Sequence, residues 1–226
     1  MKIECLASGS TGNCYLVNLG SDCIILDAGI SIGEITKKVN LNNIALAFIS
    51  HEHKDHWKST RELALRGISI VEGRLYQDFV KTAKIGRFST NVSMYCFPVE
   101  HGSCNNCGFI LQTENECLLY ITDFSLCRWK LDAFKFTHIM VECNYCESLI
   151  EGKEDMKVRR QINTHMGLEG LQIFLDSLDL SNTQEIVLMH QSQSLGDGVV
   201  MGATIYDKYK IKTGVCKQWG GIDYYG

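Results

Sequence analysis

A short segment rich in metal-binding side chains, Ser50-His51-Glu52-His53-Lys54-Asp55-His56, directly follows the apolar run Ala45–Ile49. Three histidines and one aspartate therefore lie within six residues. A strand that ends here brings these side chains to the carboxyl edge of a sheet, where α/β proteins usually form their sites. Neutral imidazoles suit a borderline ion such as Zn²⁺, and the nearby carboxylate indicates a second ion or a shared solvent ligand. The segment predicts a metal site.

Asp27 stands at the end of an earlier apolar run, Cys23–Asp27, and has two interpretations. Its carboxylate can accept a hydrogen bond from a metal-binding imidazole and fix the tautomer of that ring. It can equally cap the helix predicted near Ser31–Val39. The sequence leaves both roles open.

Three more candidate ligands follow predicted strands further along the chain, namely His101, Asp123 and His190. Taken alone, His101 is as consistent with a core histidine as with a ligand, although Gly102 beside it allows close backbone approach. His138 begins a strand, and we expect it to be partly exposed and without a role. The glycine-rich segment Ser8–Asn13 resembles a phosphate-binding loop only superficially, because it leads into a strand and lacks the Gly-Lys-Ser/Thr ending.

Short apolar runs separated by turn residues predict strands, and longer amphipathic stretches predict helices. The predicted strands are 2–7, 14–19, 23–27, 45–49, 68–71, 92–97, 107–113, 117–122, 137–143, 185–189 and 213–217. The predicted helices are 31–39, 58–66, 75–83, 153–160, 168–178 and 199–209, before a loose tail at Gly220-Gly221. An opening β-meander followed by alternating strands and helices indicates an α/β (α+β) fold with two mixed sheets and helices outside.

Length and composition indicate one domain spanning 1–226. No run approaches the roughly 20 apolar residues of a membrane span, and Glu4 interrupts any secretion signal, so we expect a cytoplasmic protein without membrane partners. A formal charge of −4 argues against a broad basic nucleic-acid surface, but not against a local patch. The oligomeric state, including a homo-oligomer, stays open.

The eleven cysteines are most simply buried free thiols, since their number is odd and the chain is too large to need disulfides. Two Cys-x-x-Cys pairs, Cys104/Cys107 and Cys143/Cys146, have the ligand types of a structural zinc site. The separation between the pairs is wider than in common zinc ribbons. An additional zinc is therefore the less favoured interpretation.

The order His-x-His-x-Asp-His, His, Asp, His, with each ligand at a strand end, resembles the metallo-β-lactamase superfamily. That resemblance implies a four-layer αββα sandwich with a two-metal site along one edge. It assigns His51, His53 and His101 to one ion, assigns Asp55, His56 and His190 to the second, and makes Asp123 the bridge. True β-lactamases have Cys at the bridging position, so Asp123 speaks against antibiotic hydrolysis. Zn²⁺ is the expected metal, with Mn²⁺ as the alternative.

A narrower resemblance, to the YycJ (WalJ) branch, comes from Ser8–Tyr15, Met140–Tyr145, Arg159–Ile162 and the segment around His165. This branch is associated with metal-dependent DNA exonuclease activity. Two divalent ions lower the pKa of a shared water and neutralise charge that grows on a phosphoryl oxygen. Asp55 and His165 are the candidate catalytic residues, with His165 next to the departing oxygen. Arg159 or Arg160 is expected to reach a substrate phosphate.

The predicted function is hydrolysis of a phosphodiester, with a nucleic-acid exonuclease as the first hypothesis. A phosphodiesterase of small cyclic nucleotides, as in compact viral members that destroy immune signals, is an alternative with the same chemistry. Hydrolysis of an ester, thioester or lactone is a second class that the metal ligands alone do not exclude. A metal-bound sensor without turnover is a third.

Overall fold

The computed structural model describes residues 1–82, 86–89, 91–153 and 155–226. Within these residues the strands form a five-stranded sheet and an eight-stranded sheet. The first sheet has the order β1-β2-β3-β4-β5, with β1 Lys2–Ala7, β2 Cys14–Leu19, β3 Asp22–Leu26, β4 Ile44–Ile49 and β5 Ile70–Glu72. The first three strands are antiparallel, and β3, β4 and β5 are parallel. The sheet is therefore mixed, as predicted.

The second sheet is also mixed. Its strands are β6 Val80–Lys81, β7 Ser93–His101, β8 Cys104–Gln112, β9 Cys117–Ile121, β10 His138–Glu142, β11 Glu185–Met189, β12 Lys212–Cys216 and β13 Ile222–Tyr225, in sequential order across the sheet. Strands β9 to β12 are parallel, whereas the pairs at both sides are antiparallel. Parallel neighbours end at the same edge of their sheet. This applies to β3 and β4 in the first sheet and to β9, β10 and β11 in the second.

The part of the chain that the structure describes contains six α-helices. They are α1 Ile32–Lys38, α2 Lys54–Trp57, α3 Thr60–Leu65, α4 Met156–Thr164, α5 Leu168–Asp176 and α6 Gly198–Tyr209. Ser31 begins α1 with a capping box, in which its hydroxyl accepts from the Glu34 N–H and the Glu34 carboxylate accepts from the Ser31 N–H. Among the described helices, none is long and apolar enough to cross a membrane.

Three apolar layers give the αββα arrangement that was predicted. Between the sheets, Phe48 stacks on Phe109 with ring centroids 4.5 Å apart. Outside the first sheet, side chains of β3 and β4 pack against Ile35 of α1 and Leu63 of α3. Outside the second sheet, α5 and α6 cover β10 and β11. Strands buried on both faces have continuous apolar sequences, which is why their positions were predictable.

Three sequence predictions are wrong or need correction. The helix predicted over Leu75–Ala83 does not form; Leu75 is 64% exposed, and Val80–Lys81 pairs instead with Tyr95 and Cys96 at the sheet edge. Ala83 itself lies outside the described residues. The supposed loose tail contains β13, because pairing with β12 satisfies its backbone after the Gly220-Gly221 turn. His138, expected to be partly exposed, is only 4% exposed.

Two helices begin or divide differently from the prediction. Of the predicted helix 58–66 only α3 forms, and the separate short helix α2 precedes it from Lys54. Leu65 of α3 is 76% exposed. The charged segment 153–160 becomes helical only at α4, where the Asp155 side chain accepts from the Val158 N–H. Glu154 lies outside the described residues.

Candidate metal centre

The side chains predicted to form a site lie at the carboxyl ends of strands from both sheets. Asp27 follows β3, His51 to His56 follow β4, His101 ends β7, Asp123 follows β9 and His190 follows β11. Asp27, Asp123 and His190 each have left-handed backbone, with φ of 57°, 51° and 53°. This conformation is costly for residues other than glycine, and such residues cluster at functional sites. The backbone is bent to aim these side chains at one point.

Three imidazole nitrogens converge at one side of the site. His51 Nε2 lies 2.9 Å from His53 Nδ1, which lies 3.4 Å from His101 Nε2. Ligand atoms around a tetrahedral zinc ion are about 3.3 Å apart, given Zn–N distances of about 2.0–2.1 Å. The Nδ1–H of His101 donates to the Thr164 carbonyl over 2.8 Å, which leaves Nε2 as the free acceptor atom. This donor geometry fits a divalent metal.

Asp27 fixes the tautomers of two other histidines. Its Oδ2 accepts from His56 Nδ1 over 2.5 Å and from the Ser50 hydroxyl over 2.9 Å. Because the Ser50 proton is used there, the Ser50 oxygen accepts from His51 Nδ1, 3.0 Å away. The Nε2 atoms of His51 and His56 are thereby left to bind an ion. Of the two interpretations of Asp27, the geometry matches the orientation of imidazoles; the helix cap is Ser31.

A second group consists of Asp55, His56 and His190. Asp55 Oδ2 lies 3.5 Å from His56 Nε2 and 3.7 Å from His190 Nε2. His190 Nε2 is buried and has no hydrogen-bond partner among the described residues. A buried nitrogen of this kind is costly unless something binds it. The second group therefore also fits a divalent metal, and its potential ligand atoms lie within 4.8 Å of one another.

Asp123 lies between the two groups, with one carboxylate oxygen directed to each. Its Oδ1 is 3.3 Å from His56 Nε2 and 3.2 Å from His190 Nδ1. Its Oδ2 is 3.9 Å from His51 Nε2 and 3.7 Å from His101 Nε2. A bridging ligand would occupy this position, and the bridging role that the resemblance implied stays a prediction.

The charges of the site are strongly coupled. Burial opposes ionisation of Asp123, but His190 and His56 outweigh it and hold the pKa of Asp123 well below its usual range. Burial likewise opposes protonation of His190, and the neighbouring Asp123, Asp55 and Glu142 raise the pKa of His190 to about 10. Burial, reinforced by His56, lowers the pKa of His51 well below its usual value. The carboxylates thus stay ionised and available as ligands.

Glu142 is a site residue to which sequence reasoning gave no role. It is fully buried at the end of β10, and its Oε1 accepts from His165 Nδ1 over 2.7 Å and from His190 Nδ1 over 2.8 Å. Its Oε2 accepts the N–H groups of Phe124 and Met166. A carboxylate that ends an apolar strand was the available signal, the same signal that identified Asp123. Glu142 links the predicted bridge, His190 and His165.

His165, the predicted non-ligand, lies beside both groups. Its ring centroid is 5.0 Å from that of His101 and 5.3 Å from that of His190. Burial opposes its protonation, but the Glu142 carboxylate raises the pKa of His165 above the usual histidine value. A third group of side chains also lies close enough together to hold a metal ion: Asp123, Glu142, His165 and His190. In that group, however, Glu142 Oε1 already accepts from the Nδ1 atoms of both rings.

Asn13 is a second residue that the sequence analysis did not assign. The segment Ser8–Asn13 is a turn, as predicted, in which Asn13 Oδ1 accepts from the Gly9 N–H over 2.8 Å. The same amide places Nδ2 3.0 Å from His56 Nε2 and 3.3 Å from the Asp55 carbonyl oxygen. The turn therefore holds the His56 segment in position rather than binding phosphate by itself.

A cavity of about 730 Å³ opens over the site. Its lining includes His53, Asp55, His101, Asp123, His165, His190 and, on α4, Lys157, Arg160, Gln161 and Thr164. Of the two predicted phosphate-binding arginines, Arg160 is part of this lining and Arg159 is not. Among the described residues, none of the groups able to hold a metal contains a cysteine, so the two Cys-x-x-Cys pairs are not brought together as a zinc site.

Comparison with known proteins agrees with this geometry. The sequence profile of the metallo-beta-lactamase superfamily matches residues 7–72, which include the His51–His56 segment. The crystal structure of the metallo-beta-lactamase fold protein YhfI from Bacillus subtilis superposes with a TM-score of 0.68 and 12% identity, covering 99% of both chains. The chain is therefore similar to the metallo-β-lactamase superfamily, in sequence over residues 7–72 and in fold along its whole length.

Two further proteins are similar to this chain. Exodeoxyribonuclease YycJ of Bacillus anthracis is 25% identical over 224 aligned residues, which cover 85% of this chain and 83% of the relative. The short form of human tRNase Z superposes with a TM-score of 0.61 and 12% identity, covering 85% of this chain and 93% of that protein. The resemblance to the YycJ branch is thus confirmed by a match along most of the chain.

Proposed function

We propose that this protein is a metallo-β-lactamase superfamily member and a dinuclear metal-dependent phosphodiesterase that acts on nucleic acid, in the first place as an exonuclease. His51, His53 and His101 would hold one ion, Asp55, His56 and His190 would hold the other, and Asp123 would supply an oxygen to each. Zn²⁺ is the expected metal because imidazoles dominate both groups, and Mn²⁺ is the alternative.

The observation that carries this proposal is the division of the Asp123 carboxylate between the two imidazole groups. A ligand of a single ion would direct one oxygen to one set of nitrogens, whereas Asp123 has Oδ1 near His56 Nε2 and Oδ2 near the Nε2 atoms of His51 and His101. Paired ions at about 3.5–4 Å are typical of sites that displace an oxygen nucleophile at phosphorus. When bound, such ions polarise the phosphoryl oxygens and acidify a bound water.

The protein's own side chains supply orientation and a proton. Because His165 Nδ1 donates to Glu142, His165 Nε2 is the ring atom left for the cavity, where it donates to the departing oxygen of the substrate. Asp55 is held between His56, His190 and the Asn13 amide, so it serves as a ligand and not as a free base. A phosphate ester benefits from such a proton donor because its leaving oxygen becomes negative.

Nucleic acid is the substrate class that the relatives favour. The exodeoxyribonuclease and the tRNase of the comparison both act on polynucleotides by their names, and the first matches most of this chain. Small cyclic nucleotides need the same chemistry and are the alternative within it. A thioester releases a thiolate, which leaves without a proton donor, so a Glu142-held His165 favours phosphodiesters over thioesters.

The experiment is incubation of the protein, loaded with Zn²⁺ or Mn²⁺, with linear DNA, RNA, cyclic mono- and dinucleotides and a thioester. We expect shortening of the polynucleotides from an end and none in the Asp123→Ala variant. Turnover of the thioester alone would replace the proposal with the ester hydrolase class. Turnover of cyclic nucleotides alone would keep the chemistry and change the substrate.

A further inference from the structure

Helix α4 forms one wall of the cavity over the metal centre, and it is fixed to both halves of that centre. Its last residue, Thr164, accepts through its carbonyl from His101 Nδ1. Gln161, one turn earlier, donates to the Asn144 side chain, whose Nδ2 in turn donates to the His190 carbonyl. The helix therefore has a defined position relative to His101 and His190.

The residues that α4 contributes to the cavity occupy one face of the helix. They are Lys157, Arg160, Gln161 and Thr164, at positions i, i+3, i+4 and i+7. At about 100° per residue these four span only about 100° of the helix circumference, and Arg159 projects to the other side. Val158 packs against Tyr145 and Leu195, which holds the helix down. The face toward the cavity is thus polar and carries two positive charges.

The two cations on this face have no acidic partner. Among the residues that the structure describes, neither Lys157 nor Arg160 forms an ion pair or a side-chain hydrogen bond. They are also the only Lys or Arg residues in the described cavity lining. In a chain with a formal charge of −4, this pair is a local positive patch beside the metal centre. Such a patch attracts an anion.

Arg160 and Lys157 lie further along the α4 axis than His165, so their charges are separated from the site of phosphate cleavage that we propose. His165, the proposed proton donor, follows α4 directly. At a rise of 1.5 Å per residue, Arg160 lies about 7.5 Å and Lys157 about 12 Å further along the axis. We infer that Arg160 and Lys157 form a subsite for a second phosphate of the substrate, the one next to the phosphate that is cleaved.

This inference rests on the proposed phosphodiesterase function and specifies its substrate class. A substrate with two or more phosphates, such as an oligonucleotide, uses the metal centre and the α4 face together. A cyclic mononucleotide has one phosphate and gains nothing from Arg160 and Lys157. Guanidinium and ammonium groups hold phosphate oxygens without reading the base, so the subsite contributes affinity and register rather than sequence preference.

The test compares thymidine dinucleotides that carry a 5′- or 3′-terminal phosphate with unphosphorylated TpT, using the metal-loaded full chain. We expect kcat/KM to be at least tenfold higher for one phosphorylated form. In the variant Lys157→Gln/Arg160→Gln this preference should fall to within about twofold. The matched control Lys37→Gln/Arg61→Gln removes the same charges from exposed positions of α1 and α3 and should keep the preference. A wild type without preference, or a variant that keeps it, would overturn the inference.

A binding measurement separates this inference from the proposed function. If the wild type hydrolyses no phosphodiester, the proposed function fails, and the salt dependence of oligothymidylate binding still tests the subsite. Each lost phosphate contact lowers the slope of log K against log salt by about 0.7 for single strands. We expect a slope about 1.4 shallower in Lys157→Gln/Arg160→Gln than in the wild type. An unchanged slope would overturn the subsite.

Discussion

Asp27 accepts a hydrogen bond from His56 Nδ1 over 2.5 Å, and the same carboxylate also positions other side chains of the site. The same Oδ2 accepts from the hydroxyls of Ser50 and Tyr120. Through Ser50 the carboxylate also orients His51, so a single buried group fixes one imidazole of each proposed ion shell. The left-handed backbone of Asp27 is the conformation that makes this contact.

The first prediction concerns Asp27→Asn. The amide cannot accept from all three donors, so the His56 and His51 tautomers are no longer fixed, and metal affinity should fall about 10- to 100-fold. Competition with a coloured chelator measures this affinity. Tyr120→Phe is the matched control, since it removes a donor to the same oxygen without touching a proposed ligand. It should cost about 1 kcal/mol of unfolding free energy and leave metal affinity within twofold.

A second prediction distinguishes His165 from His190. His165→Ala should lower kcat for a phosphodiester about 100-fold, because the proton donor is lost, while two metal ions per chain remain. His190→Ala should lose one of the two ions, because Nε2 of that ring is a proposed ligand. Elemental analysis of the purified variants gives both counts. Loss of an ion from His165→Ala would mean that His165 binds metal, as the third candidate group allows.

The third prediction is that metal removal destabilises the fold. Unpaired nitrogens such as His190 Nε2 are buried in the centre, so metal binds the native state and not the unfolded chain. At a free metal concentration 100 times Kd, binding adds about 2.7 kcal/mol, or roughly 5–10 °C in Tm for a domain of this size. Thermal melts with metal and with EDTA measure the shift. This Tm shift should be smaller in His51→Ala than in the wild type. An equal Tm shift in the variant would mean that the stabilising metal binds at a site other than the one containing His51.

A fourth prediction uses two glycines near the same loop. A Cβ at Gly29 would lie 1.6 Å from the Asp55 carbonyl oxygen and 2.7 Å from the Asn13 nitrogen. Gly29→Ala should therefore displace the Asp55–His56 segment and lose metal binding or folding. Gly33→Ala, in the exposed part of α1, meets no atom within 4 Å and should stabilise the protein by about 0.5–1 kcal/mol. Chemical denaturation of both variants checks the contrast, and similar losses would contradict it.

The sequence predicted the strands near the site well, because strands buried on both faces have continuous apolar runs and each run stops at a polar residue. β11 and the segment before His190 are an example. It failed where structure depends on distant partners. Val80–Lys81 becomes a strand only because Tyr95 and Cys96 lie beside it, and β13 forms only on the edge that β12 provides.

The metal-binding residue types were readable from spacing, whereas their supporting contacts were not. Glu142 lies 23 residues from His165 and 48 from His190, so no local pattern reveals that one oxygen accepts from both rings. Asn13 is likewise 43 residues from His56. The choice of Arg160 over Arg159 depended on the face that α4 turns to the cavity. The single domain over 1–226 and the cytoplasmic location stay predictions.

The two-ion centre bridged by Asp123 is the central claim, and anomalous diffraction at the metal edge from crystals of the loaded protein tests it most directly. We predict two peaks about 3.5–4 Å apart, one against His51, His53 and His101 and one against Asp55, His56 and His190, with an Asp123 oxygen on each. A single peak, or a peak held by Glu142 and His165, would contradict it.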